Sequence, residues 1–560
     1  MSARALVIGL DGADVDVIAS LGAARLPHLH ALMARGAWAR LRSVLPPATL
    51  PNWTTFLTGV DPGAHGVFDF TVRDGERVSF AGGTVREAPT IAARLDRLGM
   101  RCAVIGFPAT WPPERLAHGV FVSGWDSPVA FEADRSFVWP PALYDAIRAR
   151  FGPIRFDDVD EVAADRPGWY DALGSRLAER VDRKLALARW ILERERWDLC
   201  AIYFGESDTA AHHLWAHHDP GSPRHPSGCS AAARSGLART YEALDRAVGE
   251  LVAVAGDGVE ITVVSDHGSG GASDKVLYLN RALSDAGFLA FRPGHEGASG
   301  VSRLKDLGMG AIGPRARERL FDLAGRALPG RIESRARFGA IDLPRTRAFS
   351  DELNYFPAIH LNLRGREPHG TVDPADVPAL RRDLESWAAD LRDPWSGGRV
   401  IEAVHAREEL YSGPFVSRAP DLLLELAIDA HRGSWNLLPS GGAPPGTGAF
   451  RRLSAEEHLG RKGRSLPGSH RPRGLFVAAG PRVRVSGEID ARIADATATL
   501  LARMDVRPGP ELAGRVLREI LERGHPAAHE LPAIERGAAI DPADLSRTEA
   551  RLRALGYVDS

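Results

Sequence analysis

The sequence predicts an α/β fold: a mixed, mostly parallel central sheet with helices on both faces and an inserted cap region. Three observations carry this expectation. The runs Ala5 to Leu10, Trp197 to Phe204 and Val259 to Val264 are apolar without alternation, as strands buried on both faces of a parallel sheet must be. Each run stops in polar residues: Asp11-Gly12, Gly205-Glu206-Ser207-Asp208 and Ser265-Asp266-His267-Gly268. Between them lie stretches of helical period, Val15 to Met33 and Thr240 to Val254.

In chain order, the first strand ends at Asp11-Gly12, and Gly36 stops the helix after it. The stretch PPATLPNWTTFLTG, Pro46 to Gly59, comes next. Pro51 suits a first helical position and Gly59 a C-terminal stop, so Thr49 is placed beside the N–H-rich, positive end of a short helix. Such a threonine is an N-cap or a nucleophile, and the stretch alone does not decide. Asp61 to Gly66 reads as a turn cluster and Met100 to Phe107 as a second buried strand. Residues 110 to 190, rich in Trp, Pro and Arg, read as an excursion over the active face. A helix from Thr209 to Trp215 comes after the Trp197 strand.

The predicted organisation is a catalytic core over 1–285, an inserted helical cap over 286–350 and a return to the core over 351–517. The return is marked by Ala358 to Leu363, Asp421 to Leu426 and Gly474 to Ala479. A helical tail, including Glu511 to Arg523 and Leu552 to Tyr557, covers 518–560.

Composition narrows the function. With 560 residues, 44% of them hydrophobic, the chain can bury a sizeable core. Its 70 Lys and Arg against 72 Asp and Glu give a formal net charge of -2 and no global reason to bind nucleic acid or a membrane surface. The cysteines Cys102, Cys200 and Cys229 are too scattered for a disulfide framework. The first apolar run is too short for a secretory leader, and no stretch approaches the roughly 20 apolar residues of a membrane span. A cytoplasmic location is the expectation.

The polar residues at strand ends form a chemical set. Asp208 and His212 lie one helical turn apart, Asp266 and His267 are adjacent, and Asp11 and His470 complete the group. Any one of these is ordinarily a cap or surface residue. Together, carboxylate and imidazole donors suit two divalent metal ions, Zn²⁺ or Mn²⁺, better than the all-oxygen cages of Ca²⁺ or Mg²⁺. Two such ions with a hydroxyl nucleophile serve phosphoryl transfer.

At this point the chain resembles the alkaline phosphatase superfamily, and within it the type I phosphodiesterase / nucleotide pyrophosphatase branch with its phosphohydrolase and phosphomutase relatives. The matching segments are IGLDG at Ile8 to Gly12, TLPNWTTFLTG at Thr49 to Gly59, PGAHGV at Pro62 to Val67, SDTAAHHLW at Ser207 to Trp215, SDHG at Ser265 to Gly268 and GSHRPRGLFVAAGP at Gly468 to Pro481. The resemblance implies that Asp208, His212 and His470 hold one metal and Asp11, Asp266 and His267 the other. Thr49 then touches the second ion and acts as the covalent nucleophile, with hydrolysis of a phospho- or nucleotidyl-threonine by water. Asn52 is implied as the amide that donates to a phosphoryl oxygen. The implied substrate is a small phosphoester, a nucleotide-like diester ahead of a monoester or a mutase substrate.

Departures from the family pattern are Ser207 and Ala211, where the phosphodiesterases carry Pro and Gly, and His213, which makes the histidine ligand ambiguous by one residue. Trp53 stands where sulfatases carry Arg, which argues against that chemistry. Tyr203, Trp125 and Trp215 are candidates for stacking on a base, and Arg366 and Arg471 for meeting a second phosphate.

Overall fold

The computed structural model describes residues 3–74, 77–124, 133–155, 164, 166–293, 338, 340–352, 356–429, 433–444, 446–460, 465–522 and 527–534. At its centre lies a nine-stranded sheet in the order Gly487–Ile489, Ala37–Arg42, Arg473–Ala479, Glu260–Val264, Ala5–Leu10, Leu199–Phe204, Cys102–Ile105, Val120–Val122 and Val138–Trp139. The strand Ala5–Leu10 pairs in parallel with both Leu199–Phe204 and Glu260–Val264. Arg473–Ala479 runs antiparallel to its two neighbours, which makes the sheet mixed.

The first strand is continuously apolar because both its faces are covered. Leu6, Ile8 and Leu10 enter a core with Leu177, Val181, Leu244 and Val248 of the helices Trp169–Arg194 and Ala231–Ala255. Ala5 and Val7, on the opposite pleat, pack with Trp53, Phe56, Leu500 and Leu501 of the helices Thr49–Thr58 and Ile493–Arg503. Full burial of each large aliphatic side chain contributes about 1.5–3 kcal/mol.

A second body has its own core. It holds the antiparallel strands Ala348–Phe349, Ala358–Leu361, Leu422–Leu426 and Ile401–Ala406, with the helix Val377–Asp390 packed through Leu380, Leu384 and Ala388. The chain therefore rejoins the main sheet at Arg473–Ala479, later than the expected return at residue 351. Of the expected 286–350 cap, residues 294–337 and 339 lie outside the described residues.

Other expectations need correction. The 15–33 segment is two helices, Val15–Arg25 and Pro27–Ala34, because Pro27 starts a new helix, and the first is itself kinked at Gly22, whose φ is 70°. The 110–190 excursion adds Val120–Val122 and Val138–Trp139 to the sheet edge. Glu511 to Arg523 holds only the 3-10 turn Arg518–Ile520 among its described residues. There the backbone N–H groups of Arg515 and Leu517 donate to Asp495 Oδ1 and Thr499 Oγ1 instead of to a helix of their own. Residues 535–560, with the expected Leu552 to Tyr557 helix, lie outside the described residues. Among the described residues, no helix is long and apolar enough to cross a membrane.

One buried histidine ties the helix carrying Thr49 to residues 61–67. The helix Pro62–His65 is capped by Asp61, and His65 is fully buried. His65 Nδ1 accepts from Val67 N at 3.2 Å, so Nε2 carries the proton and donates to Thr55 Oγ1 at 3.0 Å. Burial first, and Arg86 nearby second, pull the His65 pKa from 6.5 to about 3. The folded state thus binds fewer protons than the unfolded chain below pH 6.5. The contribution is complete above that value and is lost as pH falls. Denaturant titrations at pH 7 and pH 5 are expected to assign about 2 kcal/mol of lost stability to His65. His65→Asn should remove that part of the pH dependence, and an unchanged difference would contradict the assignment.

Candidate active site

The strands Leu199–Phe204, Ala5–Leu10 and Glu260–Val264 are consecutive and parallel, so their C-terminal ends share one edge of the sheet. This edge is where open α/β sheets place ligands. Asp11 comes directly after the middle strand, and Asp266 and His267 come just after one neighbour. The helix Glu206–His218, with Asp208 in its first turn and His212 one turn on, begins beyond the other. His470 arrives on the short strand Gly468–Arg471, paired with Ser269 of Gly268–Leu277. Thr49 is the first residue of its helix, capped by Ala48, so the threonine lies in the first turn and Pro51 falls third.

These residues converge. His267 Nε2 lies 3.4 Å from Asp11 Oδ1, 3.3 Å from Asp266 Oδ2 and 3.5 Å from Thr49 Oγ1. Asp208 Oδ1 lies 3.2 Å from His212 Nε2 and 3.5 Å from His470 Nε2, and those two nitrogens are 3.0 Å apart. The His267 and His470 rings stack with centroids 3.6 Å apart. The six residues thus form one continuous site, buried except for Asp208, whose side chain is 22% exposed.

The tautomers are set by the other ring nitrogens. Nδ1 of His212, His267 and His470 faces the carbonyl oxygens of Gly468, Gly268 and Pro47 at 2.9, 2.9 and 2.8 Å. A carbonyl only accepts, so each Nδ1 carries the proton and each Nε2 turns a lone pair inward. Facing them, Asp11 Oδ1, Asp208 Oδ1 and Asp266 Oδ2 have no hydrogen-bond partner among the described residues. Among the described residues, no Lys or Arg pairs with these three carboxylates.

Burial, and secondly the charge of Asp208, push the Asp11 pKa up to about 7. Burial and then Asp11 hold Asp266 well above its ordinary value. Burial, and after it His470, hold His267 far below the usual imidazole range. Neutral imidazoles and crowded carboxylates are the donor set a divalent cation completes. Donors at the corners of a zinc tetrahedron with bonds of about 2.0–2.1 Å stand roughly 3.4 Å apart. The 3.0–3.5 Å spacings between these donors match that edge. Asp208, His267 and His470, and Asp11, Asp266 and His267, each offer three donor atoms within 4.8 Å of one another.

A family model for type I phosphodiesterase / nucleotide pyrophosphatase matches residues 5–431. The chain belongs to that family. As a member it is a phosphodiesterase-class hydrolase of the alkaline phosphatase superfamily, and the family is typically dependent on divalent metal. Among solved structures, the human ectonucleotide pyrophosphatase / phosphodiesterase 5 superposes with a TM-score of 0.48 at 13% identity, covering 92% of this chain and 99% of that one. An inactive form of the murine protein in complex with AMP gives 0.46 at 12% identity, covering 93% and 100%. No curated protein matches the chain.

Several sequence expectations are corrected within this phosphodiesterase fold. Asn52 is fully buried, and its amide faces the preceding loop instead of the site. Oδ1 accepts from Val44 N at 2.7 Å, while Nδ2 donates to the carbonyls of Ala48, Pro46 and Val44 at 2.9, 3.1 and 3.3 Å. Both amide hydrogens are used in shaping the approach to Thr49. His212 belongs to the cluster, whereas His213 packs edge-on against Trp169. His217 is buried, with Nδ1 3.2 Å from Cys229 Sγ.

Arg366 is paired with Asp421, and Arg471 donates to the carbonyls of His470 and Gly271. Trp215 packs close to Gly271, Tyr203 donates its hydroxyl to Asp11, and Trp125 lies outside the described residues.

The sequence reading missed the serines that brace the loops. Ser207, Ser265 and Ser269 donate to the carbonyls of Asp11, His267 and Gly12 at 2.5, 2.6 and 2.7 Å. The repeated Ser-Asp dipeptide at 207–208 and 265–266 was the available signal. Gly12, with φ of 62°, lets this loop close: an added Cβ would lie 3.1 Å from the Asp208 backbone.

Replacing Asn52 by Ala orphans the Val44 N–H and the carbonyls it now serves. Chemical denaturation is expected to show a loss of about 2 kcal/mol or more. An unchanged unfolding free energy together with a higher KM would restore the substrate-contact role.

Proposed function

We propose that this hydrolase cleaves small phosphodiesters, nucleotides among them, with Thr49 as the nucleophile. The six residues Asp11, Asp208, His212, Asp266, His267 and His470 hold two divalent ions, Zn²⁺ fitting the mixed nitrogen and oxygen set best. The observation that carries the reading is the inward convergence of three histidine Nε2 lone pairs and three carboxylate oxygens that lack a hydrogen-bond donor, with Thr49 Oγ1 at its margin. Bound there, divalent cations supply Lewis-acid charge that polarises the phosphoryl group and eases loss of a hydroxyl proton.

The chain's own residues do the rest. The helix beginning at Thr49 turns its positive end, with the N–H groups of its first turn, toward the phosphoryl oxygens. Thr49 Oγ1 bonds to phosphorus as the bond to the leaving alkoxide breaks, giving a threonine phosphoester. Water then bonds to the same phosphorus, the Oγ1–P bond breaks, and Thr49 regains its proton. Thr49 Oγ1 stands 3.5 Å from His267 Nε2, at the margin of the donor cluster, where the charge of a bound cation would favour loss of its proton. The buried walls exclude bulk water, which strengthens every electrostatic contact made there.

Turnover of bis-p-nitrophenyl phosphate is expected to exceed that of p-nitrophenyl phosphate, to vanish with a chelator and to return with Zn²⁺ or Mn²⁺. Thr49→Ala should lower kcat by about 10³-fold or more while leaving metal content unchanged. A preference for the monoester, or interconversion of sugar phosphates without release, would move the reading to a phosphomonoesterase or a phosphomutase. Full turnover by Thr49→Ala would remove the nucleophile assignment.

A further inference from the structure

The two oxygens of Asp11 have unlike surroundings. Oδ2 accepts the Tyr203 hydroxyl at 2.6 Å and the Trp53 indole N–H at 3.0 Å. Oδ1 has no donor among the described residues and faces His267 Nε2 at 3.4 Å. Both donors are buried in rigid elements. Tyr203 lies on the strand Leu199–Phe204, opposite Gly9 in the parallel register, and Trp53 lies on the helix that begins at Thr49.

The two rings meet edge to face with centroids 5.5 Å apart, and Phe107 closes the other side of the indole at 5.2 Å. The first strand makes room for this arrangement. A Cβ at Gly9 would stand 2.8 Å from Trp53 Cη2, so glycine there admits the indole.

We infer that Tyr203 and Trp53 are positioning residues that hold Asp11 to a single ligating oxygen, Oδ1. The inference rests on the metal-centre reading of the proposed function. Two donors on one oxygen fix the carboxylate plane and occupy the atom that bidentate ligation would need. A one-oxygen Asp11 keeps the donor count low, which matches a compact Zn²⁺ site and opposes the six to eight oxygens that Ca²⁺ takes. Trp53 thus acquires a role at the position where the sequence raised only the absence of an arginine. Tyr203 serves the protein's own carboxylate and is not a platform for a base.

The test is zinc binding to the metal-free protein, read by competition with a chromophoric chelator. Wild type is expected to take up two equivalents. Tyr203→Phe keeps the ring and removes only the hydroxyl, and should weaken one equivalent by about 10–100-fold while leaving the other unchanged. Trp53→Phe should weaken the same equivalent. Tyr278→Phe, a buried tyrosine in another core cluster, should alter neither. Wild-type affinity for both equivalents in Tyr203→Phe would overturn the positioning role. Equal weakening of both equivalents would reduce it to general stability. If wild type itself bound no zinc, the metal-centre reading would fall and this inference with it.

Discussion

The inward-facing acceptors of Asp11, Asp208, Asp266, His212, His267 and His470 form an arrangement that is unfavourable by itself. His212 Nε2 and His470 Nε2 stand 3.0 Å apart with lone pairs opposed, and three carboxylate oxygens nearby lack donors among the described residues. Burying uncompensated charge costs several kcal/mol per ion. Elsewhere the same fold meets that cost. Glu260, buried at the start of the strand Glu260–Val264, receives Arg503, whose guanidinium also donates to Thr262 and to the carbonyls of Ile261 and Ala479. Asp266, just beyond the end of that strand, has no such cation among the described residues. One strand therefore carries a cation-paired buried carboxylate at one end and, at the other, one whose Oδ1 accepts from Gly12 N while its Oδ2 has no donor among the described residues. Binding a cation at the second end releases free energy that the fold can use, because metal affinity and folding are linked.

The rest of the molecule holds this deficit in shape. Parallel neighbours bring three strand ends to one edge, and serine hydroxyls pin the carbonyls of Asp11, Gly12 and His267. Backbone carbonyls fix all three imidazole tautomers. Asn52 shapes the Val44 to Ala48 loop so that Thr49 opens its helix within reach of His267. Chemistry and stability divide the polar groups between them: those that face the backbone brace the site, and those that face one another are the donors the proposed cations would take.

Much of this was legible in the sequence. Apolar runs ending in Asp or His gave away the central strands, since a strand buried on both faces has no alternation and its polar residues gather at its end. The four-residue spacing favours His212 over His213, and in the fold His212 Nε2 lies 3.0 Å from His470 Nε2 while the His213 ring packs on Trp169. What could not be read was side-chain direction. The family resemblance implies a ligand-facing amide at Asn52, yet in the first turn its side chain folds back onto the loop. Tyr203 and Trp53, distant in sequence, meet on one oxygen only after the sheet and the helix pack. The placement of Ala358–Leu361 and Leu422–Leu426 in a separate sheet was equally hidden, because local apolarity does not say which sheet a strand joins.

The central claim is that six converging acceptors exist to hold two cations. Anomalous diffraction at the zinc edge, from crystals of the protein loaded with Zn²⁺, tests it directly. The account expects two peaks roughly 4 Å apart, one among Asp208, His212 and His470 and one among Asp11, Asp266 and His267 beside Thr49. Full-occupancy zinc bound elsewhere, with no peak between these side chains, would contradict it.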